Sequence, residues 1–365
     1  MSVQAETSQI IYLLGPQGST SLLRWDGALE KTYDCGGGGF ISFNAAGACA
    51  SFGYHTGPGP LPITVFPTPP VAVRLPGDAG PRVVLPADWG AVSAGWSPDS
   101  ARLAVARVDP PYPTADDQPF RMSVWIVEAD GAARLLYRPS PGRGLPLQWS
   151  SDGRYLTGVE VMAGDSILHL LLLDVASGRV TDLGNTALPE SIAWSADGRL
   201  AFVRGSGRVT WRDKEIVVRE RDGSERVLTP PGFVGFAPAW DPARGRIAWI
   251  AGPSGDGSGY FEGTGVGDRR VVVSDLAGGT TEIRCPGRVV EGMRWSRDGE
   301  TLLLLCRRPG ATSDVFELWL HRFNAHGGPA AVLIATGLGW DDYFDRQTGG
   351  APSLSRAVAW SRAVR

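Results

Sequence analysis

One short pattern recurs along this chain and limits what it can fold into. Apolar residues lead to a Trp; Ser or Asp follows, then a polar turn, then a second apolar run. The copies are GWSPDSARLAVARV from Gly95, QWSSDGRYLTGVEV from Gln148, AWSADGRLAFVRG from Ala193, AWDPARGRIAWIAG from Ala239 and RWSRDGETLLLLCRR from Arg294. Weaker copies are SFNAAGACASFGYH from Ser42 and the terminal AVAWSRAVR. The anchors Phe43, Trp96, Trp149, Trp194, Trp240, Trp295 and Trp360 lie 53, 53, 45, 46, 55 and 65 residues apart. That period is the size of a four-stranded unit of roughly 40–50 residues with loops of variable length.

Each unit reads as strand a ending at the anchor, a tight turn, and strand b. Strands c and d follow as hairpins at 122–137, 168–183, 215–229 and 271–285, where β-formers flank a D-G or G-G type turn. The anchors fit a structural role, since a Trp at the end of an inner strand fills the wedge between adjacent units. Asp99, Asp152, Asp197 and Asp298 are expected to accept backbone N–H bonds in the a–b turns, where Gly supplies φ > 0. At the N-terminus, IIYLLG and SLLRWDGALEKTYDC supply strands b, c and d without a strand a, and the C-terminus ends on a strand a. The two ends are therefore expected to share one unit, closing a ring and removing sheet edges.

The W-S-x-D-G repeats resemble the TolB-like family of β-propellers and the WD-repeat-like propeller domains of prolyl-oligopeptidase-type enzymes. The resemblance runs from about residue 9 to 365. It implies an all-β fold: a seven-bladed β-propeller of four-stranded antiparallel blades, closed by C-terminal strand a on N-terminal strands b-c-d. Residues 1–365 then form a single domain, with 1–8 a flexible N-terminus. TolB itself has six blades and an added N-terminal α/β domain, and oligopeptidases carry a hydrolase domain after the propeller. Neither plan fits this chain, and such propellers host many activities, so the resemblance speaks to fold and leaves function open.

The long irregular segments 55–70, 109–120, 204–214, 251–269 and 336–355 are all b–c or d–a connections. They should gather on one face, and loops on a rigid scaffold commonly carry binding. Trp340, Asp341, Asp342, Tyr343, Phe344 and Asp345 resemble an interface anchor cluster. Tyr112, Asp116 and Asp117, and Tyr260, Phe261 and Glu262, repeat the theme, and His55 ends a strand b facing the same side. Trp340 and Phe344 could equally plug the channel mouth.

The expected function is a non-catalytic protein–protein interaction or scaffold propeller, bacterial by its family resemblance, with a partner whose surface is basic or Arg-rich. A receptor for a small ligand, peptide or glycan is the alternative, and a propeller lyase or hydrolase follows it. His55, His169, His321 and His326 should not converge on a metal, no G-x-S-x-G elbow is present, and no cofactor is expected. A net charge of −3 argues against nucleic acid as partner. No apolar window is long enough for a membrane span. Cys35, Cys49, Cys285 and Cys306 form no C-x-x-C pair and read as reduced and buried. The expected compartment is the cytoplasm for the chain as written, and the periplasm or exterior for one trimmed at its N-terminus.

Overall fold

The residues described in this computed structural model are 9–14, 20–24, 29–33, 40–43, 49–52, 70–75, 77–110, 121–128, 130–138, 142–144, 147–162, 168–186, 192–205, 213–254, 268–296, 298–309, 315–323, 331–339 and 358–362, with side-chain surroundings described between Cys49 and Thr336. These residues contain β-strands and no α-helix. The first sheet joins the two ends of the chain. It sets β29 (Val358–Arg362) beside β1 (Gln9–Leu14), β2 (Thr20–Arg24) and β3 (Leu29–Tyr33), in the order β29-β1-β2-β3. Trp360 lies opposite Ile11 in that antiparallel pairing.

The remaining sheets are consecutive along the chain. The second is β4 (Phe40–Phe43), β5 (Cys49–Phe52), β6 (Val71–Arg74) and β7 (Arg82–Leu85). The third is β8 (Ala91–Trp96), β9 (Arg102–Asp109), β10 (Arg121–Glu128) and β11 (Ala133–Tyr137). In the fourth, strand a is split into β12 (Gly142–Gly144) and β13 (Gln148–Trp149), both pairing with β14 (Tyr155–Met162), and β15 (Leu168–Asp174) and β16 (Val180–Thr186) follow. The fifth is β17 (Ile192–Trp194), β18 (Leu200–Gly205), β19 (Lys214–Arg219) and β20 (Glu225–Val227). The sixth is β21 (Phe233–Trp240), β22 (Ile247–Pro253), β23 (Arg270–Ser274) and β24 (Thr280–Ile283). The seventh is β25 (Val289–Trp295), β26 (Thr301–Arg307), β27 (Val315–Arg322) and β28 (Ala331–Gly339).

The repeat read from the sequence sets this register. Trp96, Trp240 and Trp295 end their strands opposite Leu103, Ile247 and Leu302, and Phe43 ends β4 opposite Cys49. Strand b is sandwiched between neighbouring sheets, so both of its faces are apolar. In β26 every residue from Leu302 to Arg307 is buried. Strand d is the outer edge, and β20 is exposed throughout.

The core lies between sheets. Ala50, Val71 and Leu85 pack on Ala91 and Val105; Ala104 and Ile126 pack with Trp149 and Leu156; Val203 and Ile216 join Trp240, Ile250, Trp295 and Leu304.

The turn chemistry also holds. The Ser150 hydroxyl donates to Asp152 Oδ1 at 2.6 Å, that oxygen accepts from Arg154 N at 3.0 Å, and Tyr155 N donates back to Ser150 Oγ at 2.8 Å. The same bonds recur around Ser296 and Asp298. Asp99 is held below the usual carboxylate range by the Ser97 hydroxyl and the Ala101 N–H. For Asp197, burial acts upward but is outweighed by Arg199 and Ser195. These carboxylates are committed to their turns.

One expectation is corrected. Cys285 and Cys306 are joined in a disulfide, Cys49 is also disulfide-bonded, and no free cysteine occurs among the described residues. Cys285 follows β24 in the sixth sheet and Cys306 lies in β26 of the seventh, so the bond staples one seam. Nothing local in the sequence announces it, because it depends on how two sheets meet.

Candidate functional site

Meander connectivity puts the a–b and c–d turns on one face and the b–c and d–a connections on the other. The strand bounds confirm that 55–70, 109–120, 204–214 and 251–269 link b to c, and that 336–355 links d of the seventh sheet to a of the first. The side chains expected to bind, Trp340, Asp341, Asp342, Tyr343, Phe344, Asp345, Tyr112, Asp116, Asp117, Tyr260, Phe261, Glu262 and His55, lie outside the described residues. The side chains of Phe43 and Trp360 do as well, although both residues stand in strands.

The turn face is used internally, through a device the sequence reading did not reveal. Three anchor indoles donate across their seams to the carbonyl just before the previous anchor. Trp149 Nε1 reaches Gly95 O at 2.9 Å, Trp240 Nε1 reaches Ala193 O at 3.1 Å and Trp295 Nε1 reaches Ala239 O at 3.0 Å. Trp194 departs by one step. It meets Thr157 Oγ1 at 3.4 Å, and that hydroxyl donates to Gln148 O at 3.1 Å. Gly95 is required by this close approach, since a Cβ there would lie 2.8 Å from Leu147 O.

An arginine at the start of strand b covers the next anchor: Arg102 over Trp149, Arg199 over Trp240 and Arg246 over Trp295, with the guanidinium carbon 5.2, 4.5 and 4.9 Å from the ring centre. In the fourth sheet Tyr155 takes this place and stacks on Trp194 at 6.3 Å.

The opposite face is built differently. Seven charged residues are buried among those described: Asp109, Lys214, Asp241, Arg269, Glu291, Arg307 and Glu317. Asp241 belongs to a turn. The other six all stand near where strand b ends or where c or a begins, at the strand ends that lead into the b–c and d–a connections. Asp109 accepts from Ser123 Oγ at 2.8 Å and Arg138 Nη1 at 3.2 Å.

At the seam of the sixth and seventh sheets, Arg269 Nη1 donates to Glu291 Oε2 at 2.6 Å and Arg307 Nε donates to Glu291 Oε1. Arg288 grips Glu317 with two bonds of 2.8 and 3.0 Å, and Trp319 Nε1 adds a third at 3.1 Å. The Arg288 guanidinium holds the Glu317 carboxyl below the usual range against the effect of burial. Removing one partner of such a buried pair leaves an uncompensated charge, so Glu291 and Glu317 depend on these arginines.

His169 and His321 lie in β15 and β27 and do not meet. His169 Nδ1 is 2.9 Å from Asp182 Oδ2, and burial pushes the His321 imidazole down.

Neither a protein-family model nor a curated protein matches the sequence. Solved structures do. A puromycin-hydrolyzing peptidase from Mycobacterium tuberculosis is 16% identical over 92% of this chain and 53% of its own, with a TM-score of 0.61. The β-propeller domain of the Trilobed protease from Pyrococcus furiosus, described as having an open velcro topology, is 13% identical over 78% and 82%, with a TM-score of 0.51. TolB from Acinetobacter baumannii is 16% identical over 97% and 82%, with a TM-score of 0.48. The first two comparisons show the fold, a β-propeller. The chain spans about half the length of the peptidase it resembles.

Proposed function

We propose that this chain is a seven-bladed β-propeller, closed by β29 on β1, that works without catalysis by binding a partner protein through its b–c/d–a face. The observation that carries the reading is the asymmetry between the two faces. Polar groups on the turn face serve the turns and seams, whereas six of the seven charges buried among the described residues lie at the strand ends that lead into the b–c and d–a connections. Fixed charges at these strand ends suit a platform that holds binding segments in place. The acidic aromatic segments around Asp116, Glu262 and Asp341 fit a partner with basic side chains. The pairing of β29 with β1 supports ring closure, since it brings both ends into one sheet. Peptidase activity belongs to a neighbour whose other half is unmatched here, and it is not proposed for this chain.

The test is affinity purification from the native cell with mass spectrometry, comparing the full chain with a variant whose 339–347 segment is replaced by Gly-Ser. A stoichiometric partner lost in the variant supports the reading. If neither form retains a partner, the reading fails, and screening for a ligand that raises the melting temperature becomes the next step.

A further inference from the structure

The seam between the sixth and seventh sheets also presents a charged surface of its own. The disulfide Cys285–Cys306 draws together the connection 284–288 and the end of β26. Arg284 and Arg288 lie on the first and Arg308 just beyond the second. The Arg308 and Arg284 side chains are 75% and 55% exposed, and that of Arg288 is 26% exposed. The carboxylates that balance them are sunk beneath, with Glu317 at 8% and Glu291 at 0%.

Glu317 already accepts from Arg288 and Trp319, while Arg308 Nε stands 3.8 Å away on a largely exposed side chain. The exposed Glu282 is engaged by Arg270 at 2.7 Å and lies 3.9 Å from Arg284. Among the described residues the exposed charge of the seam is therefore mostly positive, and the guanidinium forks of Arg284 and Arg308 match carboxylate geometry.

We infer that this seam receives an acidic segment of the partner, its carboxylates taken by Arg284 and Arg308, while Arg288 stays bound to Glu317 and Gly287 O and adds only its charge; the inference rests on the partner-binding reading of this face. The staple and the buried Arg269–Glu291–Arg307 cluster hold the site in place before the partner arrives, which lowers the ordering cost of binding.

The experiment uses the full chain and a fluorescent peptide of alternating Glu and Gly with both termini capped, followed by anisotropy. Binding is expected, weakening as salt rises from about 50 to about 300 mM. Arg284→Glu with Arg308→Glu is expected to weaken it about tenfold or more, and Arg284→Gln with Arg308→Gln, which sets no new carboxylate beside Glu282 or Glu317, is expected to weaken it less at a nearly unchanged melting temperature. A peptide that does not bind, binds the double variant equally well, or is outcompeted by its Arg-containing counterpart overturns the inference. In the partner purification, a partner kept by Arg284→Glu/Arg308→Glu but lost on replacing 339–347 would sink the seam assignment alone and leave the face reading standing.

Discussion

The a–b turn offers one substitution site in several different settings. Its left-handed position is Gly153 (φ 70°), Gly198 (φ 86°), Gly245 (φ 65°) or Gly299 (φ 66°), but in the third sheet it is Ser100 (φ 62°). A residue with a Cβ loses about 1–2 kcal/mol in that region, and glycine gives back roughly 0.5–1 through its freer unfolded chain. Ser100→Gly should therefore stabilise by about 0.5 kcal/mol.

Gly153→Ala should cost about 1 kcal/mol from backbone strain alone, because the added Cβ meets nothing closer than 3.8 Å. Gly299→Ala places its Cβ 2.0 Å from Asp241 Oδ1. That carboxylate is buried and held by Ala243 N, Arg244 N and Arg246 Nε at 2.9, 3.1 and 2.8 Å, so it has no room to retreat. A loss of about 3 kcal/mol or more is expected, the scale of a severe core clash. Urea unfolding followed by Trp fluorescence reads the series, with the slope checked for constancy. Equal losses for Gly153→Ala and Gly299→Ala, or a Ser100→Gly variant weaker than its parent, would refute the reasoning.

Trp240→Phe leaves the Ala193 carbonyl without the indole donor and should cost about 1–2 kcal/mol. Trp194→Phe, whose indole makes only a 3.4 Å contact, should cost less. Equal midpoint shifts would show that the seam bond carries little. Replacing Cys285 and Cys306 together by Ala should cost about 3 kcal/mol for a bridge spanning 21 residues. Alkylation of the unfolded, unreduced protein should leave both cysteines unlabelled, and labelling would refute the disulfide. Asp99, Asp152 and Asp197 have folded-state pKa values below their ordinary ones. The stability they add is present above about pH 4 and lost as pH falls through the depressed values. The triple Asp→Asn variant should show a flatter fall in urea midpoint between about pH 4 and pH 2, and an unchanged acid limb would assign acid unfolding to other groups.

The features legible in the sequence are those governed by local chemistry. Ser-x-Asp-Gly builds its turn from its own atoms, so Ser150, Asp152 and Gly153 could be placed from their order alone. The anchors were legible because Trp96, Trp149, Trp194, Trp240 and Trp295 all enter or pack against the core between sheets. The partners across those seams were not, since Trp149 meets Gly95 at a separation of 54 residues and Arg244 meets Glu300 at 56.

The seam that carries the further inference did leave a trace, as a break in the repeat. Glu291 interrupts the apolar strand VVEGMRW where the third and sixth sheets have Val92 and Phe236, and Glu317 stands in VFELWLHR where the third sheet has Ser123. A carboxylate inside a strand buried on both faces is costly unless cations meet it. Each such break therefore predicts an arginine arriving from another element. Here Arg269 and Arg307 meet Glu291, and Arg288 meets Glu317. In a repeated fold, a charge that departs from the repeat points more directly to a specialised seam than any residue the copies share.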